Sequence, residues 1–281
     1  MSSKAASWHL PTGIKSVEAN GYLMAYQEMG TGIPLLLVHG SLCDYRFWSY
    51  QIEQLAKHHR VIALSLRHYF PEQWDGRGGD FSIAQHASDV EAFISVLALG
   101  AVHLLGHSRG GAVALEVAKR HPQVVRSLIL ADPAVRLDLA ETDESRKAIA
   151  FRSMLFGNFL ENVAKGEIEV GTAQFVDGLL GNGAWARLPS QVHEIFLQNV
   201  HTALVSDPLP LTADEELRRF DFPILTITGE HSPPFYRLIF AEMQKRAHLP
   251  QPIVIPGANH AMNFTNPPTF NAAVLQFTAA H

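Results

Sequence analysis

Its 281 residues, 47% hydrophobic and 17% charged, carry ample apolar material for a core, and the length fits one large α/β domain with an insertion better than two equal domains. A net charge of −5 and the lack of a long basic run exclude the electrostatic footprint of a nucleic-acid-binding protein. A single cysteine, Cys43, excludes an internal disulfide framework and fits a reducing, cytoplasmic compartment.

The N-terminal stretch MSSKAASWHLPTG lacks the apolar segment of a secretory signal. No run approaches the roughly 18 apolar residues needed to span a bilayer, so no membrane association is expected. Residues 21–28 (GYLMAYQE) with the turn Gly30-Thr31-Gly32 predict an antiparallel hairpin. Residues 33–38 (IPLLLV) and 61–66 (VIALSL) are short apolar runs bounded by turn residues, the pattern of strands buried on both faces. The first run ends in His39-Gly40-Ser41, with His39 read as a structural turn residue. The cluster Asp44, Tyr45, Phe47 and Trp48 follows, suited to lining an acyl pocket or packing a helix face. His58-His59 has no carboxylate or cysteine at ligand spacing and reads as a solvated pair, so no metal is expected. The aromatic stretch from Arg67 to Asp80 either borders a pocket mouth or forms a surface loop anchored by Tyr69, Phe70 and Trp74. Residues 83–99 place Val90, Phe93, Ile94 and Leu97 on one face of a helix.

A buried strand at 102–105 then runs into Gly106-His107-Ser108-Arg109-Gly110, and a helix over 110–120 stops before His121-Pro122. Gly-x-Ser-x-Gly between strand and helix is the sharp turn that exposes a serine hydroxyl above a sheet. Glycines at 106 and 110 suit a strained turn pressed against neighbouring backbone. Ser108 is therefore the candidate nucleophile, and the helix N-terminus places partial positive charge where an oxyanion would develop. The Arg109 amide is the natural first oxyanion donor. Ser41, after the first parallel strand, is the candidate for the second, with Leu42 as an alternative.

Residues 127–131 (SLILA) form the next strand, closed by Asp132. The strand rhythm then breaks over 133–211, which carries amphipathic pieces with Phe151, Phe156, Phe159, Phe175, Trp185 and Phe196. Some 80 residues are too many for a loop, so a helical cap is expected there, with 1–132 and 212–281 as the core domain. Strands resume at 224–228 and 253–255, and a last helix covers 269–279. Among 15 histidines His260 stands out, because Pro256-Gly257-Ala258-Asn259-His260 follows the last strand. Carboxyl ends of parallel strands share one sheet edge, so Ser108 and His260 converge there, with His260 as general base.

These residues carry a resemblance. VHGS at 38–41, GHSRGG at 106–111, the mid-chain helical insertion and PGANH at 256–260 together resemble the alpha/beta-hydrolase fold superfamily, in its serine-nucleophile, esterase- or lactonase-like branch, over nearly the whole chain. The resemblance implies a mostly parallel α/β sheet of about eight strands flanked by helices, with an inserted helical lid. Members often carry their acid in a G-x-x-D pattern after the penultimate strand, but Gly229-Glu230-His231-Ser232 puts Ser232 at that position. Two carboxylates remain. Asp132 is the favoured acid, since haloalkane dehalogenases, some epoxide hydrolases and a group of lactone hydrolases place theirs after this strand; Glu230 is the alternative.

A Ser nucleophile disfavours dehalogenase and epoxide chemistry, both of which form an alkyl ester on a carboxylate. The expectation is a cofactor-independent hydrolase of a carboxylic ester or lactone of a small to medium, mostly apolar molecule, with Leu42, Trp48, Phe156 and Phe159 lining its pocket. Carbon–carbon hydrolysis of a diketone-like substrate is an alternative, as is a non-catalytic ligand-binding module on the same scaffold. Arg109 would meet a substrate carboxylate or pair with a structural acid.

Overall fold

The computed structural model describes residues 10–281 apart from 138, 140 and 206–208. Eight strands form one sheet: β1 (Lys15–Ala19), β2 (Tyr22–Met29), β3 (Pro34–Val38), β4 (Arg60–Leu64), β5 (Val102–His107), β6 (Val125–Ala131), β7 (Ile224–Gly229) and β8 (Ile253–Ile255). Their order is β1-β2-β4-β3-β5-β6-β7-β8; β2 pairs antiparallel with both neighbours and the remaining pairs are parallel. The helices are α1 (Ser49–Leu55), α2 (Ile83–Val96), α3 (Arg109–Arg120), α4 (Asp143–Ala164), α5 (Ile168–Leu180), α6 (Ala184–Arg187), α7 (Ser190–Gln198), α8 (Asp214–Arg218), α9 (Pro234–Ala247), α10 (Met262–Thr265) and α11 (Pro267–Ala279).

Continuous apolar runs make sense because both sheet faces are covered. Leu36 and Val38 of β3 pack with Phe93, Val113 and Phe240 of α2, α3 and α9. Leu35 and Leu37 point the other way, onto Trp48, Ile52, Phe270 and Val274 on the side of α1 and α11. That is the two-residue alternation of a strand, with no polar face. Helices α4 to α8 all lie between β6 and β7, and a third apolar cluster joins Leu155, Phe159, Val163 and Phe175 to Leu42 of the core. Among the described residues no helix is long and apolar enough to cross a membrane.

Two expectations are corrected. The hairpin turn is not at residues 30–32. It lies at Asn20-Gly21, with φ of 51° and 67°, and joins β1 to β2. Asn-Gly supplies the paired positive φ that a two-residue hairpin turn needs. Strand β2 next pairs with β4, so the 30–32 segment must step across a strand to reach β3. Gly30 is required there for a different reason: a Cβ would run into the carbonyl oxygens of His59 and Ala56. The second correction concerns His58-His59, of which only His58 is solvated. His59 is buried, with Nε2 2.9 Å from Thr278 Oγ1 of α11.

Candidate active site

Strand β5 delivers the chain to Ser108, whose backbone sits at φ 52°, ψ −119° before α3 begins. A non-glycine residue held there costs on the order of 1–3 kcal/mol, which the surroundings must offset. The Ser108 amide donates to Ala131 O at 3.0 Å, and Ser108 O accepts from Gly111 N and Ala134 N at 2.9 and 2.8 Å. The flanking glycines allow close contact. A Cβ on Gly106 would strike the Gly110 carbonyl, and one on Gly110 would strike the Val38 carbonyl.

The turn after β3 meets this elbow directly. A Cβ on Gly40 would lie 3.0 Å from Ser108 Cβ and 2.9 Å from His107 Nδ1, so only glycine lets the two turns touch. Ser41 and Arg109 consequently line the same cavity as Ser108. His39 braces the turn: its Nε2 accepts from Leu66 N at 3.0 Å and its Nδ1 lies 2.9 Å from Gly40 O.

Asp132 and His260 converge at the neighbouring strand ends. His260 follows β8, and its carbonyl oxygen lies 2.7 Å from His107 Nε2. Its Nδ1 is 3.1 Å from Asp132 Oδ2, which fixes the proton on Nδ1 and leaves Nε2 as the basic nitrogen. Asp132 is fully buried at φ 41°, anchored by its own amide on Ile227 O at 3.0 Å. The hydroxyl of Ser232 donates to Asp132 Oδ2 at 2.5 Å and accepts from Gly229 N at 3.1 Å. Ser232, at the position where the G-x-x-D pattern would put an acid, instead holds the Asp132 carboxyl in place. Glu230 is elsewhere: it is exposed, and its Oε2 accepts from Gly257 N at 2.7 Å, pinning the turn after β8.

Burial sets the electrostatics of the pair. With Asp132 charged and His260 neutral the pair carries one negative charge, which a dry site disfavours against the net-neutral state with one more proton. Burial accordingly pushes the Asp132 carboxyl up to about 7, against the opposing pull of the Ser232 and Thr228 hydroxyls. A second proton would leave a net positive charge, and burial pushes His260 down to about 3.

The cavity above Ser108 measures about 680 Å³ and is walled by Phe47, Phe156, Phe175, Leu179, Phe196 and Tyr236. Arg136 and Arg152 also reach it, the latter with its guanidinium 5.4 Å from the centre of the Phe156 ring. Of the expected pocket residues, Phe156 lines this space. Leu42, Trp48 and Phe159 do not: all are buried in apolar clusters, Trp48 beneath the sheet and Leu42 with Phe159 between α4 and the core. Alternating apolar residues on a short helix leave open which one faces neighbours and which faces a cavity. The aromatic cluster splits the same way, with Phe47 at the cavity and Asp44 capping its own turn while accepting from Asn199 Nδ2 at 2.7 Å. Tyr69 and Phe81 line the cavity, whereas Trp74 stacks on His68 at 4.2 Å. The Arg109 guanidinium lies 4.5 Å from the centre of the Phe81 ring and 3.4 Å from His86 Nδ1.

Tyr236, in the first turn of α9, belongs to no motif legible in the sequence. Its ring stacks on His260 with centroids 4.5 Å apart and planes 11° apart, and its hydroxyl oxygen is 3.1 Å from His260 Nε2. The available signal was position, one helical turn beyond Ser232.

Comparison with known proteins adds the family. A model of the Alpha/beta hydrolase family matches residues 35–273. An (E)-2-((N-methylformamido)methylene)succinate hydrolase from Acinetobacter baylyi is 25% identical over 262 residues, covering 91% of this chain and 94% of that protein. Among solved structures, carboxylesterase CesB from Bacillus subtilis superposes with a TM-score of 0.75 at 18% identity over 98% of this chain and 94% of its own. A thermophilic esterase from Thermogutta terrifontis, with malate bound, superposes with a TM-score of 0.72 at 23% identity over 95% and 98% of the two chains. At those identities the likeness is one of fold.

Proposed function

The chain belongs to the alpha/beta hydrolase family, and from that premise we propose that it is a serine hydrolase of carboxylic esters or lactones working through Ser108, His260 and Asp132. The observation that carries the reading is the Asp132–His260 contact of 3.1 Å at the sheet edge where the elbow presents Ser108 to the cavity. In the proposed cycle His260 Nε2 takes the Ser108 proton as Oγ attacks the carbonyl carbon. The amides of Arg109 and Ser41 receive the oxyanion, and His260 then returns its proton to the leaving oxygen. Water, deprotonated by the same nitrogen, releases the acid. Asp132 holds the imidazole tautomer throughout. The segment 133–211 serves as a cap, and its Phe156, Phe175 and Phe196 give the acyl or alkyl part an apolar wall.

A fluorophosphonate probe followed by a substrate panel tests this. Label is expected on Ser108, with turnover of p-nitrophenyl esters or lactones and none of diketones. Unlabelled Ser108 would favour a binding module; turnover of diketones alone would favour carbon–carbon hydrolysis. A second reading of the substrate is favoured by Arg136 and Arg152, since two guanidinium groups at one cavity suit a carboxylate. The Acinetobacter relative is named for a succinate derivative. A succinate half-ester in the same panel separates the readings: it outperforms the matching neutral ester only if the arginines receive its free acid.

The pH response has a definite sign. The working form needs Asp132 charged, so activity is lost as pH falls through the raised value of about 7. The Ser232 hydroxyl favours the charged carboxylate. Ser232→Ala therefore raises that value further and moves the acid limb of kcat/KM to higher pH, by about one unit for a hydrogen bond to a charged group. A pH–rate profile of the variant checks this, and an unmoved limb contradicts it.

A further inference from the structure

We propose that Tyr236 is a catalytic residue of this site, donating a hydrogen bond to the departing heteroatom of the substrate while its ring supports the imidazolium of His260. The inference rests on the Ser108–His260–Asp132 reading and extends it to a group outside that triad.

Geometry comes first. Two rings 11° from parallel with centroids 4.5 Å apart lie face to face. The hydroxyl oxygen, 3.1 Å from Nε2, therefore approaches that nitrogen over the ring face rather than along its in-plane lone pair. The lone pair is left to the Ser108 proton. Tyr236 lines the same cavity as Ser108 and His260, so its phenol faces the space in which the nucleophile and the base work. In the tetrahedral intermediate the leaving heteroatom is bonded to the carbon held by Ser108 Oγ, and it must reach the proton on Nε2. A donor 3.1 Å from that nitrogen and facing the same cavity is placed to reach the leaving atom as it takes the proton.

The chemistry agrees with the placement. Burial pushes the Tyr236 phenol up from its ordinary range, so it stays protonated and acts as a donor, not as a competing base. Its face lies against an imidazole that becomes cationic during each half-reaction, the arrangement in which a desolvated aromatic ring stabilises a cation. Protons balance simply. His260 transfers to the leaving atom the proton it took from Ser108, the carbon–heteroatom bond breaks as that new bond forms, and Tyr236 keeps its own proton. The hydroxyl matters only where the leaving group needs a proton. An alkoxide does, and a p-nitrophenolate does not.

Tyr236→Phe keeps the stack and removes the hydroxyl. Ethyl and p-nitrophenyl esters of one acid are compared by kcat/KM, which reports acylation alone. The ethyl ester is expected to fall by about 10²-fold, the scale of a lost proton-transfer partner, and the p-nitrophenyl ester by less than about threefold. Retained p-nitrophenyl turnover also certifies a folded site. Equal losses on the two esters, or no loss on either, would overturn the role of Tyr236. Ser108→Ala in the same assay keeps the two ideas apart: if it turned over either ester within tenfold of the wild-type rate, the triad reading would fail first.

Discussion

Ser108→Ala is expected to lower kcat/KM by about 10⁴-fold or more without loss of the fold. One oxygen is removed, and it is the atom proposed to form the acyl bond. The strain of the elbow, at φ 52°, belongs to the backbone and is borne equally by Ala, so the change in stability should be small. The proposed oxyanion donors and the cavity remain, which is why a residual rate above that in water is expected. Stopped-flow assay of an active-site-titrated wild type beside the variant gives the comparison, and circular dichroism checks the fold. Turnover within tenfold of wild type would remove Ser108 from the mechanism.

Asp132→Asn carries the second large effect, about 10³- to 10⁴-fold in kcat, whereas Glu230→Gln should stay within about twofold. The asymmetry follows from position. Asp132 Oδ2 accepts from His260 Nδ1 at 3.1 Å and from Ser232 at 2.5 Å, in a fully buried site. An amide there turns a donor toward one of these groups and favours the tautomer with the proton on Nε2, the form that cannot deprotonate Ser108. It also withdraws the charge that supports the imidazolium. Glu230 only receives an exposed backbone N–H from Gly257. Assayed side by side at pH 8, equal activities would sink Asp132 as the acid. A large loss in Glu230→Gln would point to the turn after β8 instead.

Elements governed by neighbours a few residues away were legible. The parallel strands showed as unbroken apolar runs because both faces are buried, and β5 with α3 showed through their glycines and helix formers. Features depending on distant backbone were less so. Gly30-Thr31-Gly32 looked like a hairpin turn, yet Gly30 is there because residues 56 and 59 crowd it. His59 looked solvated until α11 packed over it. In sequence Trp48 and Phe159 suit a pocket as well as a core, because aromatic residues serve both, and only the packing separates the two.

The same division runs through the site. The sequence by itself determined Ser108 as the candidate nucleophile, because the elbow is a local object: two glycines, a strand before and a helix after, all within a few residues. It also narrowed the base to His260 by its place after the last strand. Only the tertiary structure decided which carboxylate meets that histidine. Asp132 and His260 are 128 residues apart, and their contact depends on how the ends of β6, β7 and β8 stand side by side. Ser232 and Tyr236 became meaningful for the same reason. A hydroxyl acquires a role from the charge or lone pair it reaches, and in this chain those partners come from strands that pair far apart in sequence.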